Sequence, residues 1–150
     1  MRKSHKSALV VVARLATALA ALVLLQTASP LVSAQSLDYQ YFKTRVEPIF
    51  LKKRPGHARC VVCHAESTNA FNLQRLDAGS TTWTEEQSRQ NFEVVSRLVN
   101  ADNPDASLLL LHPLAPEAGG DYFHSGGRQF ASRNDPEWLV LAEWVRSAKK

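Results

Sequence analysis

Hydrophobic residues recur at helical spacing in four places along the chain. Over residues 38–53, "DYQYFKTRVEPIFLKK", Tyr39, Phe42, Val46, Ile49 and Phe50 repeat with a helical period. Pro48 lies inside this run and is predicted to bend or split it. Residues 84–99 open on "TEEQ", a capping box between Thr84 and Gln87, and continue with Phe92, Val95, Leu98 and Val99. "SLLLLH", residues 107–112, is a short apolar run stopped by Pro113. Residues 135–148 start with Asp135 as N-cap and Pro136 at the first helical position. Trp138, Leu141, Ala142 and Val145 follow at i, i+3, i+4 and i+7, and the basic end "RSAKK" suits a helix C-terminus. The pattern predicts an all-α fold.

The stretches between these helices, such as "STNAFNLQRLDAGSTTW" and "PLAPEAGGDYFHSGGRQFASRND", are long and rich in Gly, Pro, Asn and Ser. Loops of that length in a small domain call for a reason, and a central cofactor is one. Residues 1–34 read differently from the rest. Arg2, Lys3, Lys6 and Arg14 precede the apolar run "LATALAALVLL", and "VSA" at residues 32–34 offers small residues for cleavage. This is the layout of a secretory signal peptide. A spanning helix of about 20 apolar residues would have to include Arg14 or run into "QTASP", so membrane association is expected only if the segment is not removed. The division is therefore 1–34 as signal and 35–150 as one exported domain.

Charge changes with that division. The chain carries 18 Lys and Arg against 14 Asp and Glu; the first 34 residues hold four of the bases and no acid, which leaves 14 of each. The basic pI belongs to the targeting segment, and no nucleic-acid partner is implied.

The two cysteines of the chain both fall in "CVVCH", residues 60–64. A thioredoxin-like redox pair would sit in a βαβ pattern, and a zinc site would need four ligands. A Cys-x-x-Cys pair followed at once by histidine instead points to covalent attachment of a c-type haem. Cys60 and Cys63 are then the two thioether anchors, and His64 is the proximal axial ligand of the iron. For the other axial position the sole methionine, Met1, is lost with the signal, and between Lys53 and Lys149 there is no lysine. His57 is tethered three residues before Cys60. His112 ends the "LLLL" run and could face the haem or cap the helix end. His124, in "DYFHSGG", is followed by Gly126 and Gly127, which would let the backbone approach closely. His124 is the preferred distal ligand, with His112 as the alternative and an open or water-filled position as the third reading.

A helix ending in "VEPIF", then CxxCH, then a loop ligand, then a helix reading "LAEWVRSA" resembles the class I-like cytochrome c domains of bacterial exported proteins. The closest resemblance is to planctomycete-type and related cytochrome c domains, over nearly all of residues 35–150. Many such domains carry a methionine ligand in a Met-Pro-Pro loop before the last helix; here "FHSGGRQF" stands in that place. The resemblance implies a small helical fold in which the first and last helices pack around one covalent haem. Phe42 and Val46 would then meet Trp138, Leu141 and Val145.

Bis-histidine ligation closes both faces of the iron and suits a periplasmic or otherwise exported one-electron carrier, not an enzyme. Its potential should lie below that of a His/Met protein. The alternative is a haem enzyme or gas sensor with an open or labile sixth site; a non-haem binding domain with an incidental CxxC is the third class. Arg59, Arg75, Trp83 and Arg128 are candidate donors to the haem propionates. Redox partner proteins are implied, without a signal for which.

Overall fold

Asp38 starts the first helix by accepting the Tyr41 amide at 2.9 Å. In the computed structural model, which describes residues 37–124 and 126–148, this helix, α1, runs over residues 39–51. It is neither split nor ended at Pro48. The stretch Phe42–Val46 is a wide turn in which the Glu47 amide bonds the Phe42 carbonyl five residues back. A proline ring strikes the carbonyl four residues before it, and widening the preceding turn accommodates it. The helix then continues as Glu47–Leu51.

The CVVCH segment forms a short helix of its own, α2, Cys60–His64. Helix α3, Glu85–Ser96, begins with the predicted capping box: Gln87 N–H donates to Thr84 Oγ1 at 3.2 Å, and Thr84 N–H to Gln87 Oε1 at 2.9 Å. Helix α4, Leu108–Leu111, stops before Pro113, and α5, Pro136–Arg146, is capped by Asp135. The single 3₁₀ turns Pro104–Ala106 and Pro116–Ala118 lie in the connections. Among the described residues there is no strand; one isolated bridge joins Leu114 and Phe130. The class is all-α. The described residues belong to one unit, 34–150, and the predicted signal segment lies outside them. No helix among them is long and apolar enough to cross a membrane.

One core joins α1, α3, α4 and α5. Phe42 and Val46 are fully buried with Val95, Leu110, Trp138, Leu141 and Val145. Each large apolar side chain in such a core contributes about 1.5–3 kcal/mol. From α5 the ring against Phe42 is Trp144, centroid to centroid 5.3 Å, with Phe92 of α3 at 5.4 Å; Trp144 is a residue outside the apolar stripe read from the sequence. Its indole N–H donates to the Asp38 carbonyl at 2.9 Å and so ties α5 to the start of α1. Trp138 turns toward α4, donating to the Leu110 carbonyl at 3.2 Å.

The long connections are fastened by side chains to backbone. Trp83 Nε1 donates to the Gln74 carbonyl at 2.7 Å, and buried Asn91 accepts the Gln74 amide at 2.7 Å. These two bonds hold the chain after α2 against α3.

Candidate functional site

Helix α2 sits on the core through Val61, which is buried. Cys60 and Cys63 are one turn apart on it, the first half-buried and the second exposed, both as free thiols. Burial pushes the Cys60 thiol up to about 11. A low pKa, the usual mark of a nucleophilic thiol, is therefore not found at Cys60.

His64 ends α2 and is fixed by the returning chain. The Leu73 amide donates to the His64 carbonyl at 3.0 Å, and the Phe71 ring packs against the imidazole at 4.2 Å between centroids. His64 Nδ1 lies 2.8 Å from the Phe71 carbonyl. A carbonyl only accepts, so Nδ1 carries the hydrogen and Nε2 keeps its lone pair. Burial lowers the pKa of His64 below 6.5; the Phe71 carbonyl opposes this, and His124 and His112 add to the lowering. The neutral imidazole is the form that binds a metal.

His124 reaches the same place from a loop whose ends are joined. Ala115 N–H donates to the Phe130 carbonyl at 2.8 Å and Phe130 N–H to the Pro113 carbonyl at 3.0 Å. Within the loop, Gly127 N–H donates to the His124 carbonyl at 3.1 Å. His124 Nδ1 donates in turn to the Gly127 carbonyl at 2.7 Å, which again leaves Nε2 with its lone pair.

The imidazoles of His64 and His124 are nearly parallel, 10° between planes, with centroids 6.1 Å apart. Ordinary offset ring pairs also fall at this spacing. What marks this pair is that a backbone carbonyl occupies Nδ1 of each ring. Two imidazoles bound to opposite sides of one metal at about 2 Å have ring centres about 6 Å apart. Both rings line a cavity of about 460 Å³, walled by Ile49, Phe50, Leu98, Leu109, Phe130 and Leu141. That size lies within the range of roughly 300–1,000 Å³ for cofactor sites. Cys60 and Cys63 line it too. The donor set, two imidazoles facing each other beside two thiols in a mostly apolar cavity, fits a covalently held haem. Among the described residues no group of three or more His, Cys, Asp and Glu side chains is placed to hold a bare metal ion.

His112 lines the same cavity with its Nδ1 paired with Asp121 Oδ2; the ring parallel to that of His64 is the His124 ring. His57 is not part of the wall; it lies beside the turn at Gly127. Of the four candidate propionate donors, Arg59 alone lines the cavity. The Trp83 indole is bonded to Gln74, Arg75 pairs with Glu66, and Arg128 pairs with Glu117 at 2.9 Å. Long-range packing, not residue type, separates them.

Arg54 escaped the sequence reading. It donates to the Gln129 carbonyl at 3.1 Å, pairs with Asp135 at 3.3 Å and with Glu137, and lies over the Phe130 ring at 4.3 Å. It therefore joins the segment before α2 to the His124 loop and to α5. A lone arginine before Pro-Gly carries no local signal of this. No family model, curated protein or solved structure matches the chain.

Proposed function

We propose that the chain is an exported monohaem c-type cytochrome that transfers single electrons, with His64 and His124 as axial ligands. The observation that carries this reading is the parallel imidazole pair, each Nδ1 held by a carbonyl, at the wall of a cavity that also contains Cys60 and Cys63. Haem supplies the iron that alternates between ferric and ferrous states. Cys60 and Cys63 would hold the porphyrin covalently, and Arg59 is placed to meet a propionate. The Phe71 and Gly127 carbonyls fix both imidazoles before any metal arrives, so little has to move between oxidation states. The finer fold assignment, a small cytochrome c-like domain of the class I type, belongs to the same proposal; the packing of α1 on α5 supports it.

Production with a c-type maturation apparatus tests the reading. The wild type is expected to keep haem on a denaturing gel and to show low-spin spectra in both oxidation states. His124→Ala is expected to become high-spin and to bind carbon monoxide when reduced. A low-spin spectrum unchanged in His124→Ala would move the distal role to His112, and rapid carbon monoxide binding by the wild type would favour the gas-binding alternative. A reductive titration should place the midpoint below that of His/Met proteins.

A further inference from the structure

Three histidines border the cavity, and the proposed ligand pair uses two of them. The third, His112, stands at the C-terminal end of α4 with its Nδ1 paired with Asp121 Oδ2. Asp121 is itself held in three ways. Its amide donates to the Leu111 carbonyl at 3.1 Å, its Oδ2 pairs with His112 Nδ1, and its Oδ1 accepts the Phe123 amide at 2.7 Å. One carboxylate thus connects the end of α4 to the residue immediately before His124.

The far side of His124 is fastened separately. The 124–127 turn closes on itself, and Gln129 Nε2 reaches the Gly126 and Ala58 carbonyls at 3.4 Å. Between Asp121 and His124 support is sparser: Tyr122 is 83% exposed, and Phe123, 90% exposed, borders the cavity. Side chains this exposed gain little from packing within the protein that would hold the segment in place. The near end of the loop therefore depends on the carboxylate.

We propose that His112 and Asp121 form a clamp that positions His124 opposite His64, so that His112 acts as a positioning residue and not as a ligand. The proposal rests on the haem reading above. His112 orients the carboxylate, the carboxylate holds the Phe123 amide, and that amide sets where His124 begins. Breaking the pair loosens the distal imidazole.

The test uses the haem-loaded protein and reads the spin state and carbon monoxide affinity of the reduced form. His112→Leu and Asp121→Ala each remove one side of the clamp. Each is expected to raise high-spin character and to increase carbon monoxide affinity about tenfold, the effect of losing one charge-assisted hydrogen bond. The double variant should be no worse than either single one. His112→Asn, whose amide nitrogen can take the place of Nδ1, is expected to restore the wild-type spectrum. Wild-type spectra and affinity in both His112→Leu and Asp121→Ala would overturn the clamp. So would a His112→Asn variant as impaired as His112→Leu, because a ligand, unlike a positioning donor, is not replaced by an amide. His124→Ala is run alongside: if it stays low-spin, the distal assignment itself fails, and that outcome is distinct from a failed clamp with an intact His124 site.

Discussion

At the scale of single residues, two backbone carbonyls fix the two facing imidazoles. The Phe71 and Gly127 carbonyls impose the same tautomer on His64 and His124, with the hydrogen on Nδ1 and the lone pair on Nε2. The glycines after His124 divide their work. Gly127 adopts φ +86°, a conformation in which a side chain is strained, and Gly126 gives room: a Cβ there would sit 3.2 Å from His124 Cε1. Gly126→Ala is therefore expected to displace the imidazole while leaving the helices intact. Carbon monoxide affinity of the reduced haem protein should rise with an unchanged far-ultraviolet circular dichroism spectrum; an unaltered affinity would show that the ring does not need that space. The pair of glycines was legible in the sequence as a place of close approach. Which of them serves the ring and which serves the turn was not, because that depends on where the imidazole points.

At the scale of elements, caps were the most readable feature. The Asp135-Pro136 start of α5 and the Thr84–Gln87 box of α3 form as the sequence predicts, since each involves residues within one turn of each other. Asp135 also shows what local reading omits. Burial alone raises its pKa, but the Arg54 guanidinium and the Glu137 and Trp138 amides outweigh burial and hold the carboxyl below its ordinary 3.8. A folded-state pKa below the unfolded one means that the stabilisation is present above pH 3.8 and is lost as pH falls through the folded value. Asp135→Ala should cost about 1–2 kcal/mol at neutral pH, with the difference from wild type narrowing in acid. Urea denaturation at pH 7 and pH 3 measures it; a deficit of equal size at both would rule out the charge as its source. The wide turn before Pro48 is the opposite case. The proline was visible and its effect was expected to be a bend or a split; the helix is not split, because the widened turn at Phe42–Val46 accommodates the ring.

At the scale of the molecule, the cavity borders the hydrophobic core. Its walls are apolar side chains from α1, α4, α5 and the loops, and the proposed haem would complete the core they begin. A ligand held at a thousand times its Kd adds about 4 kcal/mol to a fold. Replacing both anchors, Cys60→Ser with Cys63→Ser, should abolish covalent haem. If no haem is retained, the protein should also melt roughly 10–20 °C lower, on the usual scaling for a domain of this size. Calorimetry and a haem stain together check this, and an unchanged melting temperature in the haem-free variant would deny the cofactor a structural role.

The sequence by itself determined the donors and the scaffold: two thiols and an imidazole in five residues, helix starts set by caps, helix faces set by periodicity, and no methionine beyond Met1. These are local properties, carried by neighbours along the chain. Tertiary structure decided which distant groups meet. His124 stands over His64 because the Leu114–Phe130 bridge closes its loop and Arg54 ties that loop to α5. His112 reaches the same cavity from the end of α4, its Nδ1 paired with Asp121. Such contacts join residues far apart in sequence, and no period or motif announces them, because they depend on how the whole core packs.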